Sequence, residues 1–355
     1  MEHFQALVSC HFKLNHHHLS RNVVSRAKLQ RKKMDLVSGL LLWGVVALLL
    51  LAVSSHVLWL LRSRAGASLW KNWHVLVTGG SEGLGLALAQ LALARGARVS
   101  LVGRSQEKLA AARVSLSPLL RGNELRLQTF ACDVSREGAL EEAVRTLEKQ
   151  SGPVDLAVAN AGTALPRLFQ EQSEAETRAM MDVNFFGAAA LARAVLPSMR
   201  RAGSGKLVFV ASSMALTAFA GFSGYCASKW AVRGFAECLR CELAPANLSV
   251  QVFFAPTMRT PGLAAENKEK PAVTAELEAL GEALSASEAA AALARGIDGG
   301  RFEIAADAGG ELLAAASLGS PYGNWAARAV LAPVLVGLTA AWRWHIDRVC
   351  RKHLK

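Results

Sequence analysis

Between residues 72 and 305, short apolar runs alternate with longer helical patterns, and this alternation restricts the chain to few folds. Six runs have the length and apolar character of buried strands: His74 to Val77, Val99 to Val102, Leu125 to Phe130, Leu156 to Ala159, Leu207 to Val210 and Val250 to Phe254. The helical patterns between them include Leu84 to Arg95, Gly138 to Gln150, Glu174 to Arg200 and Tyr225 to Leu243. Apolar strands separated by helices form a parallel sheet covered on both faces. The sequence therefore predicts an α/β fold with a doubly wound, Rossmann-type parallel sheet, whose ligands bind at the carboxyl ends of the strands.

Three side chains that can hold or donate a proton have a fixed spacing between residues 212 and 229. Ser212, Tyr225 and Lys229 form the pattern Ser-x12-Tyr-x3-Lys. Tyr225 and Lys229 are four residues apart, so on a helix they share one face, and Ser212 follows the predicted strand at 207–210. A hydroxyl, a phenol and an ammonium held together can polarise a carbonyl group and protonate it. Taken singly the three would be ordinary surface or cap residues, but together they predict a catalytic site.

The first predicted strand leads directly into a glycine-rich turn, which is followed by a helical pattern. Glycines in such a turn let backbone N–H groups approach a pyrophosphate at the N-terminus of the helix. A glycine pattern alone is a weak signal, but its place between a strand and a helix strengthens it. We therefore predict a dinucleotide site that includes Thr78, Gly79, Ser81, Glu82, Gly83, Leu84 and Gly85.

The end of the second predicted strand indicates which dinucleotide is bound. NAD enzymes place an acidic residue about twenty residues after the glycine turn, where it binds the adenosine ribose. This chain has Gly103-Arg104 there, and an arginine can bind a 2′-phosphate through two parallel hydrogen bonds. Lys108 is assigned to the same cofactor site, whereas the carboxylate of Glu82 opposes a phosphate. On balance the sequence favours NADPH over NADH.

The formal net charge of +12 is concentrated near the two ends of the chain. The basic residues are Arg21, Arg26, Lys28, Arg31, Lys32 and Lys33 before one apolar run, and Arg343, Arg348, Arg351, Lys352 and Lys355 after another. Basic residues beside apolar runs are typical of a membrane surface, so we expect no nucleic-acid binding. Six cysteines in 355 residues do not form a disulfide scaffold, and no metal site is predicted.

Residues 36–61 contain no Lys, Arg, Asp or Glu and predict a transmembrane anchor. A helix of this length would extend roughly 39 Å, more than the ~30 Å hydrocarbon core of a bilayer. Residues 1–35 form a basic tail, for which a transit peptide, a juxtamembrane tail and a translation start at Met34 remain alternatives. With the tail, the positive-inside rule places the main domain across the membrane; without it, Arg62, Arg64 and Lys71 keep that domain cytosolic.

Residues 306–355 are predicted to be a membrane-associated segment with a basic tail. Its apolar run, Ala329 to Trp342, contains Pro333 and Gly337 and is short for a membrane span. Tryptophans near its ends are typical of a membrane interface. An interfacial or re-entrant segment is therefore expected, with a buried terminal helix as the alternative.

Together these residues resemble the short-chain dehydrogenase/reductases over residues 72 to 265. The motifs are the glycine turn, Cys132-Asp133-Val134, Asn160-Ala161-Gly162, Asn184, and the trio Ser212, Tyr225 and Lys229. The resemblance implies that Ser212 orients a ketone, that Tyr225 donates the proton, and that Lys229 lowers the pKa of Tyr225 and holds the cofactor ribose. It also implies a water-positioning role for Asn184. Further cofactor contacts are implied for Asp133, Val134, Asn160, Ala161, Gly162, Pro256 and Thr260, and Asn160 is also implied to brace the sheet beside the cofactor.

Within that family the chain resembles most closely the 3-ketodihydrosphingosine reductases. The resemblance rests on Gly221-Phe222, the segment at 227–234, and Thr260-Pro261-Gly262 followed by Glu266-Asn267. It implies reduction of 3-ketosphinganine to sphinganine with NADPH, at the endoplasmic reticulum membrane and with the active site in the cytosol. A long-chain ketone partitions into lipid, which agrees with a membrane-bound enzyme. Pairing of the long helices in a homo-oligomer is also typical of the family.

The chain departs from that narrower pattern at several positions, of which the last two lie by the expected substrate loop. Ala159 and Ala211 replace polar residues, Thr257 and Arg259 stand where acids are common, and the segment Leu216 to Ala220 is one residue shorter. Two alternatives therefore stay open. One is a membrane-bound reductase of another lipophilic ketone, such as a steroid, a retinoid or an acyl ketone. The other is a dinucleotide-binding scaffold without activity.

Overall fold

The computed structural model of the chain describes residues 70–279, 281–317 and 325–353, together with residues 46, 47, 50 and 54. The predicted basic tail at 1–35 lies outside the described residues. The predicted anchor at 36–61 also lies outside them, apart from four isolated positions that are helical.

The centre of the fold is a seven-stranded parallel sheet in the order β3-β2-β1-β4-β5-β6-β9. Its strands are β1 (His74–Thr78), β2 (Arg98–Gly103), β3 (Leu127–Ala131), β4 (Leu156–Ala159), β5 (Gly205–Val210), β6 (Leu248–Phe254) and β9 (Glu303–Ala305). All six predicted strands are present and pair in parallel. The predicted strand at 125–130 begins later than expected, because Glu124–Arg126 form a 3-10 turn and the strand starts at Leu127. The strand order reverses between β1 and β4, which is where doubly wound sheets bind ligands.

Helices connect the strands and cover both faces of the sheet. They are α1 (Gly83–Ala94), α2 (Gln106–Leu116), α3 (Ala139–Ser151), α4 (Glu174–Met181), α5 (Gly187–Ala202), α6 (Ser223–Leu243), α7 (Pro261–Glu266), α8 (Ala272–Glu278), α9 (Ala286–Asp298), α10 (Ala308–Ala316) and α11 (Trp325–His353). The predicted helix 174–200 is interrupted by a π-helical turn, Asp182–Phe186, between α4 and α5. Such turns often lie at functional sites.

The hydrophobic core consists of two clusters, one on each face of the sheet. On one face, α1, α2 and α9 contribute fully buried leucines such as Leu88, Leu109 and Leu293. On the other, α3, α5 and α6 contribute Val144, Val195 and Val232. Because the inner strands are buried on both sides, their sequences are mostly apolar, with a few buried polar residues such as His74, Ser100 and Gln251, which is why the strands are visible in the sequence.

Two short strands beside the main sheet were not predicted. They are β7 (Met258–Arg259) and β8 (Leu284–Ser285), which pair in parallel. This pairing joins the two ends of the segment 260–283, so α7 and α8 are held at the carboxyl end of β6. Two residues are too few for a recognisable alternation of apolar and polar side chains.

One described helical run, Glu174–Ala202, is long and apolar enough to cross a membrane, with 39% of its apolar window buried in the protein. Its buried residues include Leu191 and Val195, which pack on the sheet. We therefore interpret this run as a layer of the globular fold.

The C-terminal helix α11 is continuous through position 333, although proline usually interrupts a helix. Leu335 and Val349 are buried, whereas Val334, Val336 and Leu338 are about half exposed. The Trp342 indole donates a hydrogen bond to Thr217 Oγ1 at 3.0 Å, which joins α11 to the segment after β5. The expected interfacial segment thus lies within a longer helix that has one face against the protein.

Candidate active site

The structure brings Ser212, Tyr225 and Lys229 together at the carboxyl end of β5. Ser212 follows the strand, and its Oγ accepts a hydrogen bond from the Met214 amide at 3.2 Å. Tyr225 and Lys229 lie in the first turns of α6, with Lys229 Nζ 5.8 Å from the centroid of the Tyr225 ring. Ser212 and Tyr225 line one cavity of about 120 Å³. The spacing in the sequence therefore corresponds to a compact group of three functional side chains.

The start of α6 is fixed by close packing against α8. Gly221 has φ +91°, and a Cβ on it would lie 1.8 Å from Thr274 Oγ1, so only glycine fits there. Phe222 is buried, and its ring centroid lies 5.6 Å from that of Tyr225. These contacts set the position of the phenol before any ligand binds.

The pKa of Tyr225 is raised, which corrects the expectation that Lys229 would lower it. The largest cause is burial, which disfavours the charged phenolate. A hydrogen bond from Ser212 opposes this effect, and the carboxylate of Glu266 adds to it. The ammonium of Lys229 instead donates to the Val210 carbonyl at 2.9 Å. Tyr225 is therefore a protonated phenol in the protein alone, the form that a proton donor needs.

Burial also lowers the pKa of Lys229, to about 8 from its ordinary 10.5. In the unfolded chain the amine keeps the ordinary value, so between pH 8 and 10.5 the folded state holds fewer protons than the unfolded state. The free energy of unfolding therefore rises with pH across this window. Below pH 8 the full cost of burying the ammonium is present.

We expect Lys229→Met to stabilise the protein at pH 7 by about 2 kcal/mol, since the pKa shift corresponds to about 3 kcal/mol and about 1 is lost with the bond to Val210. This difference in the free energy of unfolding between the variant and the wild type should become smaller toward pH 10.5. Melting temperatures between pH 6.5 and 10.5 measure it, with Lys149→Met on an exposed position of α3 as the control. A less stable variant at pH 7, or a difference that does not depend on pH, would contradict this cause.

Asn184 lies in the π-helical turn and is buried. Its Oδ1 accepts from the Thr163 amide at 2.8 Å, and its Nδ2 donates to the Thr163 carbonyl at 2.9 Å and to Ser228 Oγ at 2.8 Å. Ser228 in turn donates to the Tyr225 carbonyl at 2.7 Å. Asn184 thus connects the loop after β4 to the turn of α6 that carries the phenol. Ser228 was not predicted, and its only signal in the sequence is that it precedes Lys229.

Gly162 lies between Asn184 and Lys229. A Cβ at this position would be 3.2 Å from Asn184 Oδ1 and 3.3 Å from Lys229 Nζ. The glycine therefore leaves room for the amide and the ammonium to approach the same stretch of backbone. The structure brings these two predicted residues together, although their individual roles stay predictions.

The glycine turn forms a shallow cradle that side chains would fill. Gly79 and Gly83 have φ +64° and +57°, and a Cβ on Gly79 would lie 2.9 Å from Ala161 Cα. A Cβ on Gly85 would lie 2.3 Å from the Gly79 carbonyl oxygen. These backbones approach one another at the N-terminus of α1, where a pyrophosphate binds in such folds. The residues present therefore fit a dinucleotide.

Side chains at the ends of two neighbouring strands brace this turn: Thr78 at the end of β1 and Asn160 just after β4. Thr78 Oγ1 accepts from the amides of Asn160 and Ala161 at 3.0 and 3.1 Å. The Asn160 side chain donates to the carbonyls of Thr78 and Gly79, both at 3.0 Å. This is the bracing position that the family resemblance implies. Leu84 differs from the other residues of the turn because its side chain is buried in the core, so it can contribute only its backbone.

Charged residues gather at the end of β2. Lys108 pairs with Glu82 at 3.0 Å, and both side chains are exposed. The sequence predicts that the negative charge of Glu82 disfavours a bound phosphate, and this ion pair neutralises that charge. Arg104 is exposed just after the strand, and a Cβ on the preceding Gly103 would lie 3.5 Å from Ser81 Oγ in the glycine turn.

Asp133 lies on the same side of the site. Hydrogen bonds from Ser135 lower the pKa of its carboxyl group, with a smaller contribution from the charge of Arg104. Val134 is buried and faces Gly187, where a Cβ would lie 2.8 Å from it. Asp133 is therefore ionised at neutral pH, beside the arginine that was assigned to the ribose phosphate.

Pro256 and Thr260 follow β6 and line the same cavity as Ser212 and Tyr225. Thr260 Oγ1 accepts from the Leu263 amide at 3.2 Å, which begins α7, and its methyl group lies next to Gly83. Thr257 also lines the cavity, whereas Arg259 points away and pairs with Glu288 at 3.8 Å. The glycine turn and the catalytic trio thus share one cleft along the carboxyl edge of the sheet.

Comparison with known proteins places this cleft in a family. Residues 73–271 match the family model of the short chain dehydrogenases. A 3-dehydrosphinganine reductase of Arabidopsis thaliana is 35% identical over 284 residues, which cover 77% of this chain and 83% of that protein. A 3-ketodihydrosphingosine reductase of Dictyostelium discoideum is 33% identical, over 82% of this chain and 92% of that protein. The corresponding protein of Mus musculus is 36% identical, over 57% of this chain and 61% of its own length.

Two solved structures support the same assignment. A levodione reductase matches with a TM-score of 0.61 and 26% identity, covering 67% of this chain and 97% of its own. An alcohol dehydrogenase of Thermococcus sibiricus, complexed with 5-hydroxy-NADP, matches with a TM-score of 0.53 and 25% identity, covering 62% of this chain and 88% of its own.

Proposed function

Because this chain belongs to the short-chain dehydrogenase family, we propose that it reduces 3-ketosphinganine to sphinganine with NADPH. The chain is an oxidoreductase, and its relatives in plants, animals and an amoeba are named for this reaction. The observation that carries the proposal is the cavity shared by Ser212 and Tyr225. Phe222, Met258 and Leu263 also line it, so the carbons next to the ketone carbonyl would have apolar contacts there.

The nicotinamide cofactor supplies the hydride when it is bound in the cleft between the glycine turn and Thr260. Ser212 donates a hydrogen bond to the ketone oxygen and orients it. Tyr225 donates its phenolic proton as negative charge develops on that oxygen. Lys229 holds a positive charge below the phenol. Asn184 and Ser228 keep the loop after β4 and the first turns of α6 in register.

The charge pattern at the end of β2 favours NADPH over NADH. Arg104 is exposed and can bind a 2′-phosphate, and Lys108 neutralises Glu82. We expect Arg104→Ala to raise the KM for NADPH roughly tenfold or more, since a charge-assisted hydrogen bond contributes about 1.5–3 kcal/mol. The KM for NADH should change little. Arg136→Ala is the matched control, because it removes a second positive charge beside Asp133, and an equal effect of both variants would contradict the assignment.

The membrane part of the proposal rests on the C-terminal helix. We propose that α11 lies at the surface of the endoplasmic reticulum membrane and that the catalytic domain is cytosolic. Val334, Val336, Leu338 and Trp344 are apolar side chains that α11 exposes, and basic residues follow them at the end of the helix. Protease treatment of intact microsomes tests this topology, because a lumenal domain would be protected and a cytosolic one cleaved. Homo-oligomer formation through the long helices stays a prediction, which light scattering in detergent would test.

Turnover of a ketone panel tests the substrate. The purified protein in detergent is given NADPH with ketosphinganine, a steroid ketone, retinal or an acyl ketone. We expect ketosphinganine to have the highest kcat/KM. A higher kcat/KM for a steroid or for retinal would mean that the enzyme performs the same reaction on another lipid. No turnover of any ketone would favour a dinucleotide-binding scaffold without activity.

A further inference from the structure

Two carboxylates line the cavity that contains Ser212 and Tyr225. They are Glu266, at the end of α7, and Glu278, at the end of α8. Both are partly buried. Proton donation to a ketone needs neither of them, since Tyr225 and Ser212 line the same cavity and supply the hydroxyl groups for it.

The two carboxylates differ in how their charge is balanced. Glu278 pairs with Lys270, and both side chains of this pair are largely buried. Glu266 has no hydrogen bond or ion pair to any side chain in the described ranges 70–279, 281–317 and 325–353. The cavity wall therefore has one negative charge without a partner.

The surroundings of Glu266 make that charge costly. Burial raises the pKa of its carboxyl group to about 7, Glu278 adds to the shift, and Lys270 only partly opposes it. Arg259 on the adjacent strand β7 is directed to Glu288 and cannot compensate. A cation in the cavity would offset the cost and favour the ionised carboxylate.

We propose that Glu266 binds the ammonium group of an α-amino ketone, and that it selects this substrate class over neutral ketones. The proposal rests on the proposed function. In 3-ketosphinganine the amine is carried by the carbon next to the carbonyl carbon. When the ketone oxygen lies between Ser212 and Tyr225, the ammonium therefore lies in the same small cavity, whose unpaired charge comes from Glu266. A steroid or a simple acyl ketone has no group to pair with it.

The contacts of the substrate head group divide between the two sides of the cavity. Ser212 and Tyr225 belong to the sheet edge and α6, and they bind the oxygen that accepts the proton. Glu266 belongs to the segment 260–283, which β7 and β8 hold over this edge. This segment is outside the elements that bind the dinucleotide phosphates.

The kinetic test compares ketosphinganine with the hydroxy ketone of equal length that lacks the amine. For the wild-type enzyme we expect a higher kcat/KM with the amino ketone. In Glu266→Gln this preference should fall roughly tenfold to a hundredfold, mainly through KM, as expected for a lost hydrogen bond between charged groups. Glu269→Gln is the control. Glu269 lies three positions after Glu266, is exposed and pairs with Arg167, so the substitution removes an equal charge outside the cavity. If Glu266→Gln lowers kcat/KM for both ketones by the same factor, Glu266 acts on the proton donor or on folding, and the proposal is wrong.

A binding measurement separates this proposal from the proposed function. Water-soluble short-chain homologues of sphinganine, with and without the amine, are titrated into the protein with NADP⁺ by calorimetry. We expect tighter binding of the amine in the wild type and loss of this difference in Glu266→Gln. Absence of turnover with ketosphinganine would reject the proposed function, yet an amine preference that depends on Glu266 would still support the ammonium site. Equal affinity of the wild-type protein for the two homologues would overturn the proposed ammonium site at Glu266.

Discussion

Tyr225→Phe is expected to lower kcat for ketone reduction by roughly 10²–10⁴-fold, the usual contribution of a positioned general acid. The variant keeps the ring that packs against Phe222 and removes only the hydroxyl. Ser212 would still bind the ketone oxygen, but no phenolic proton would be available as charge develops there. Steady-state kinetics with saturating NADPH and ketone measures the loss.

The control for this variant is cofactor binding. The glycine turn and Arg104 do not depend on the phenol, so the Kd for NADPH, followed by its fluorescence, should stay within about twofold of the wild-type value. Turnover within a few-fold of the wild type would mean that another group donates the proton. Loss of NADPH binding would mean that the substitution disturbed the cleft rather than the chemistry.

Gly85→Ala is expected to have the second largest effect, on cofactor binding and on stability together. Its Cβ would lie 2.3 Å from the Gly79 carbonyl oxygen and 2.7 Å from Asn160 Nδ2. Both atoms belong to the braced turn, so the turn must move to make space. Overpacking of this kind costs about 1–3 kcal/mol. We expect a lower melting temperature and a Kd for NADPH raised at least tenfold.

Gly234→Ala makes the same chemical change at a position without such contacts. Gly234 lies on an exposed position of α6, with nothing within 4 Å of the added Cβ. Alanine should raise stability there by up to about 1 kcal/mol, because it restricts the unfolded chain and favours the helix. If both variants were equally well tolerated, the close approach at the glycine turn would not constrain the fold as described.

Much of the fold is predictable because strands buried on both faces are mostly apolar. The runs at 74–77 and 250–254 are examples, and both are strands of the central sheet. The strand β9 could not be predicted in this way, because it has only three residues. The same holds for the segment 260–283, which has no clear periodicity and is positioned by the pairing of β7 with β8.

The proximity of the catalytic trio follows from its spacing, whereas the electrostatics of the site do not. A lysine four residues after a tyrosine predicts a shared helix face, and the structure has that arrangement. The sequence also suggested a lowered pKa for Tyr225. Burial instead raises the pKa of Tyr225, and this burial depends on Phe222 and on the segment 260–283. Glu266 was noted only as part of a motif, and its place in the cavity wall required the three-dimensional arrangement of α7 and α8.

The most direct measurement is deuteride transfer from NADPH labelled at the transferable position of the nicotinamide. The purified protein in detergent is incubated with ketosphinganine and the labelled cofactor, and the product is analysed by mass spectrometry. We expect sphinganine with one deuterium on the carbon that carried the ketone, in proportion to the cofactor oxidised, and almost none with Tyr225→Phe. Unlabelled sphinganine, or cofactor oxidation without sphinganine, would contradict the assignment of this cleft as a ketosphinganine reductase.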